Sequence, residues 1–106
     1  MTDKIDIGDG WWPILDAAID EVSTYPQEWL FEITGAGRHD GALLLSAKYH
    51  SPDVPLEKDV AHPFRAFVDL RERMRLQSMG MCEICGGSGR LRGDGDAARV
   101  RCDADV

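Results

Sequence analysis

Cys82 and Cys85 stand two residues apart, and Cys102 follows after sixteen more, so all three cysteines crowd the last quarter of the chain. A pair at that spacing can turn both thiolates onto one ion, and a second clamp after roughly 15–20 residues is the spacing of a structural zinc site. No fourth cysteine is present. Asp105 stands where one would fall, with two residues between it and Cys102, and completes the expected ligand set Cys82, Cys85, Cys102 and Asp105. His39, His50 and His62 compete with Asp105 for the fourth position. Three thiolates and a carboxylate around Zn(2+) would make a closed, tetrahedral, structural site. Gly86, Gly87 and Gly89 would let the backbone curl beneath the ion, where a side chain would obstruct it.

The odd cysteine count argues against a closed disulfide framework and for reduced thiols on a metal. No apolar run approaches the roughly 18 residues needed to span a bilayer. The start, Met1-Thr2-Asp3-Lys4, lacks the basic and apolar stretches of a secretory signal, so cytoplasmic residence without membrane contact is expected. A chain of 106 residues with 43% hydrophobic side chains is long enough for one compact unit and too short for two full domains.

Charge is unevenly placed. Residues 1–60 hold 4 Lys/Arg against 12 Asp/Glu, net −8, and residues 61–106 hold 8 against 7, net +1. An acidic first half repels phosphate and disfavours general duplex binding. All eight cations of the second half are arginines, and Arg90, Arg92, Arg99 and Arg101 fall in the cysteine segment, where they could contact an anion or an acidic partner.

The elements that must position these groups follow from periodicity. Trp11, Leu15, Ala18 and Val22 recur at helical spacing, with Pro13 tolerable in a first turn, so a helix is expected from Trp11 to Val22. Residues 1–9 read as a frayed lead-in. Trp29, Phe31 and Ile33 alternate in a strand from Glu28 to Thr34. Gly35 to Gly41 reads as a turn, and Leu43 to His50 as the antiparallel partner strand. Ser51 to Ala61, with Pro52 and Pro55, reads as a loop. A long helix opens at Pro63 and runs to about Met79, with Phe64, Phe67, Val68, Leu70 and Met74 as its apolar stripe and Gly80 as a C-terminal cap. A short hairpin turning at Gly93 to Asp96 then joins Cys85 to Cys102. It has too few apolar residues to fold alone, so a metal clip is expected.

The expected fold is therefore α+β: two helices on a small antiparallel β-hairpin sheet, residues 1–80, with a zinc knuckle and hairpin at 81–106, the whole one compact unit. Open sheet edges would invite pairing with a second copy, a homodimer. Trp11, Trp12 and Trp29 are read as core rather than as an exposed docking patch, and no catalytic constellation emerges.

The ends of the chain carry a resemblance. Gly10-Trp11-Trp12-Pro13-Ile14-Leu15, with Cys82-Glu83-Ile84-Cys85-Gly86 and Cys102-Asp103, resembles a group of small bacterial and phage-borne proteins of unknown function. Those proteins open on Gly-Trp-Trp-Pro and close on Cys-Glu-x-Cys-Gly and Cys-Asp-x-His. The resemblance implies zinc-type ligands at Cys82, Cys85 and Cys102, with Asp105 at the place of the terminal histidine. Cys82-x-x-Cys85-x-Gly87-x-Gly89 is also similar to one unit of the zinc motif of J-domain co-chaperones, which build each site from several units. The leading functional expectation is a non-catalytic, zinc-stabilised module that binds a protein partner, in a phage or prophage setting an acidic inhibitor of a host complex. The alternatives are a nucleic-acid-binding zinc ribbon and a metal-dependent hydrolase.

Overall fold

The computed structural model describes residues 4–50, 62–93 and 95–105, without the side chains of Lys4, Asp96 and Asp105. The expected loop at Ser51 to Ala61 lies outside the described residues. The chain forms β1 (Lys4–Ile5), α1 (Trp12–Val22), β2 (Glu32–His39), β3 (Ala42–Lys48), α2 (Pro63–Ser78), β4 (Arg90–Arg92) and β5 (Arg99–Arg101). This is an α+β fold with a three-stranded sheet in the order β1-β2-β3 and a separate β4-β5 hairpin.

α1 follows a 3-10 turn at Asp9–Trp11, and Pro13 sits in its first turn, where the missing N–H costs nothing. Its inward face is Ile14, Leu15 and Ala18, joined by Trp11, and all four are fully buried. α2 buries Leu70 and Met74 against the same centre, while Phe64 and Val68, expected in the stripe, are 46% and 49% exposed. The sheet contributes Ala36, Leu43 and Leu45. Arg73 on α2 reaches across to Glu21 on α1 with Nη1–Oε1 at 2.9 Å and also pairs with Asp69, tying the helices at their solvent edge. α2 begins with His62, whose Nδ1 accepts the Phe64 amide. It ends at Met79 in ordinary right-handed geometry, and Gly80 does not form the expected left-handed cap.

Three expectations need correction. The first strand begins at Glu32, because Gln27–Trp29 close into a 3-10 turn after Pro26 and Leu30 takes left-handed backbone, φ 50°. Gly35, Ala36 and Gly37 lie within β2, not in a turn. They pair with Ser46, Leu45 and Leu44 of β3, and Gly35 and Ala36 pair with Lys4 and Ile5 on the other side. Ladder bonds on both edges outweigh the weak strand preference of glycine. The reversal itself is the two-residue Asp40-Gly41 turn, both at positive φ, the geometry that a twisted hairpin favours. Finally, the lead-in is ordered: β1 runs parallel to β2, and the Asp6 amide donates to Ala36 O at 2.8 Å.

The outer edge of β3 meets α2 rather than solvent at Leu43, whose amide donates to the buried Ser78 Oγ at 2.9 Å. Ser78 Oγ in turn donates to Arg75 O. Ser78→Ala therefore strands a buried N–H, and a loss of about 1–2 kcal/mol is expected in urea unfolding.

Candidate metal centre

The knuckle is built by short-range bonds after α2. The Cys82 amide donates to Gly87 O at 2.8 Å, and the Gly86 amide returns to Cys82 O at 2.9 Å, folding residues 82–87 into a tight loop. Gly86 holds φ 79° there, a left-handed position suited to glycine. A bridge between Met81 and Ser88 closes the loop at its base. The Glu83 amide then donates to Val100 O at 3.0 Å, bringing β5 and hence Cys102 alongside.

The result places the Sγ atoms of Cys82, Cys85 and Cys102 all within 4.8 Å of one another. The Cys85 and Cys102 Sγ atoms are 3.6 Å apart, too far for a disulfide bond. Zinc–sulfur bonds of about 2.3 Å in tetrahedral geometry put sulfurs about 3.8 Å apart, so this spacing fits a single ion. Cys82 is fully buried, Cys102 half-buried and Cys85 exposed. Burial pushes the Cys82 thiol up, but the Cys85, Cys102 and Ile84 amides and the Cys85 thiol, bonded to its sulfur, outweigh burial and bring it down to about 7. Backbone amides aimed at a sulfur favour its thiolate form, the form that binds metal.

Asp105 belongs to the 3-10 turn Asp103–Asp105 that curls the backbone directly after Cys102, and its side chain lies outside the described part. The competing histidines are placed elsewhere. His39 ends β2 in the solvent beside Asp40, His50 is exposed after β3, and His62 caps α2. Among the described residues none of them joins the three-cysteine cluster.

Sequence reasoning missed what holds the knuckle from below. Glu83, between the first two cysteines, is 1% exposed. Arg38 on β2 grips it with both arms of its guanidinium, Nε to Oε1 at 2.7 Å and Nη2 to Oε2 at 2.6 Å. Arg101 Nη1 adds a bond at 3.3 Å, and the Gly8 amide one at 3.0 Å. Burial pushes the Glu83 carboxyl up, but Arg38, the Gly8 amide and Arg101 outweigh it and hold the group below the usual carboxylate range.

The N-terminal segment completes this cradle. The Gly10 amide donates to Glu83 O at 2.7 Å, and the Trp11 indole Nε1 donates to Met81 O at 2.8 Å. A Cβ on Gly10 would stand 2.1 Å from Cys82 O and 2.5 Å from Gly86 N. The Gly10-Trp11 stretch and the knuckle, the two distinctive ends of the sequence, therefore form one structure. Val100 is fully buried in the main core, and Ala98 is 2% exposed. Apolar burial thus joins the hairpin to the core of α1, α2 and the sheet, a source of order that the sequence reading assigned to the metal clip alone.

The arginines of the hairpin are largely committed within the fold. Arg101 serves Glu83, Arg92 donates to Asp103 at 2.6 Å, and Arg99 donates to Ala98 O at 2.6 Å. Arg90 is 73% exposed, with Asp103 3.8 Å away. Two of the four hairpin arginines, Arg92 and Arg101, are thus closely paired with carboxylates.

Fold and site together define a small α+β protein with a three-cysteine cluster that could hold a metal ion. No protein-family model matches the chain, nor does any curated protein or solved structure. Among the described residues no helix is long and apolar enough to cross a membrane.

Proposed function

We propose that the chain is a non-catalytic interaction module whose C-terminal knuckle is stabilised by one structural Zn(2+), held by Cys82, Cys85, Cys102 and Asp105, and whose surface binds a protein partner. The observation that carries the metal reading is the convergence of three Sγ atoms within 4.8 Å of one another, close enough for one ion to gather them. Zinc bound there would neutralise the thiolates and cross-link the knuckle to β5, adding its binding energy to folding. Cys82 would contribute the buried ligand, with Cys85 and Cys102 closing the ion from the solvent side.

The partner reading is supported by the charge of the first half, net −8, and by the internal pairing of the hairpin arginines, which together favour a basic protein over a nucleic acid as the counterpart. The resemblance of the chain's ends to small bacterial and phage-borne proteins supports a cytoplasmic setting in which an acidic surface occupies a host complex that normally handles nucleic acid.

Cobalt substitution tests the ligand set. The Co(2+) form is expected to show intense thiolate-to-metal charge transfer and the strong visible bands of a tetrahedral ion. Loss of even an outer-shell partner commonly costs roughly 10–100-fold in metal affinity, so Asp105→Ala should cost at least that. Unchanged affinity and spectrum in Asp105→Ala would remove Asp105 from the site.

A further inference from the structure

An apolar groove runs between the C-terminal half of α1 and the start of β2, away from the metal centre. One cavity of about 380 Å³ is lined by Ile19, Val22, Phe31 and Ile33, with Ser23 and Glu32 at its edge. A second, of about 410 Å³ and more mixed in character, adjoins it through Val22, Ser23 and Phe31 and extends past Tyr25, Pro26 and Gln27 to Leu30. Ile19 is 46% exposed and Leu30 71%. Leu30 displays its side chain from left-handed backbone, φ 50°, a conformation unfavourable for leucine. The fold thus leaves two large apolar side chains facing water beside a concave surface, the usual form of a docking site.

The charge around the groove selects its occupant. From Asp16 to Ile33 the chain carries Asp16, Asp20, Glu21, Glu28 and Glu32 and no lysine or arginine. Asp16 and Asp20 do not line either cavity, but helix spacing sets them on the exposed face of α1 next to Ile19 and Ser23, just outside the groove. Glu21 is bound to Arg73 and Glu32 to Lys48, which leaves Asp16, Asp20 and Glu28 without a cationic partner among the described residues. An apolar floor with an acidic rim complements a segment whose apolar side chains are flanked by cations.

We propose that the groove between α1 and β2 docks a basic amphipathic protein segment, apolar side chains on Ile19, Leu30 and Phe31 and lysines or arginines on the Asp16–Asp20 rim. This deepens the module reading and rests on it, but it does not depend on the metal.

The test is an amide-shift titration of the full chain by NMR with a designed Leu/Lys amphipathic helical peptide, and with the same pattern in Leu/Glu. The Leu/Lys peptide is expected to shift Ile19, Val22, Leu30 and Ile33, and to bind at least tenfold more weakly to Ile19→Ser and to the Asp16→Asn, Asp20→Asn double variant. The Leu/Glu peptide is expected not to bind. Both sites are exposed, so these variants should fold, and Leu30→Gly, which relaxes the positive φ, gives a second apolar truncation. Equal binding by all variants, or shifts scattered over the acidic surface, would overturn the proposal. Shifts confined to the Arg90–Arg101 hairpin would overturn the groove and leave the module reading standing. Concentration-dependent shifts of the same groove residues without peptide would identify a second copy as the occupant and equally overturn it.

Discussion

Gly10→Ala is expected to destabilise the protein by about 3 kcal/mol, the upper part of the range for forcing an extra methyl group into a filled space. The added carbon would collide with Cys82 O and Gly86 N, both backbone atoms of a knuckle closed by its own hydrogen bonds. Neither can swing aside as a side-chain tip would. Relief requires the N-terminal turn to lift off, and with it go the Gly10–Glu83 bond and the Trp11–Met81 bond. Urea unfolding measures the loss, and amide exchange should show Glu83 and Gly86 losing protection first. Gly37→Ala is the control. Its added carbon meets nothing within 4 Å, so stability should change by no more than about 0.5 kcal/mol.

The second large effect is at Glu83. Glu83→Ala removes an acceptor shared by Arg38, Arg101 and the Gly8 amide, and leaves two guanidinium groups, 26% and 19% exposed, without their carboxylate. Breaking one side of a buried ion pair typically costs about 3–5 kcal/mol; partial access of water to both arginines places the expectation near 3 kcal/mol. Arg38→Ala should cost nearly as much. In a double-mutant cycle the two should couple by at least about 1 kcal/mol, because each removes the other's partner. Additive losses would mean that the fork between Arg38 and Glu83 contributes no net stability.

What could be read from the sequence was local. α1, the long α2, the second strand and the short C-terminal hairpin each announce themselves through periodicity or turn chemistry within their own residues. The cysteine cluster was legible for the same reason: Cys82 and Cys85 share one loop, and a hairpin of ordinary length returns the chain to Cys102. What was missed depends on distant partners. Gly35 to Gly37 carry turn-type residues yet form the middle of the sheet, because β1 and β3 supply hydrogen bonds from both sides. Lys4 and Ile5 are too few to signal a strand without β2 beside them.

Glu83 is the sharpest case. A glutamate in a polar, glycine-rich loop reads as a surface residue, and only the fold reveals that Arg38, 45 positions earlier, lies within reach. One signal was available. Gly8 and Gly10, two glycines just ahead of a helix, mark a backbone that something must approach closely. The structure identifies that neighbour as the knuckle.

The most direct measurement is elemental analysis of the purified, reduced protein beside its Cys82→Ser, Cys85→Ser and Cys102→Ser forms. One zinc per chain is predicted in the parent and well under one in each variant, with a lower unfolding midpoint after chelation. A parent chain free of metal, and equally stable with or without chelator, would contradict the account.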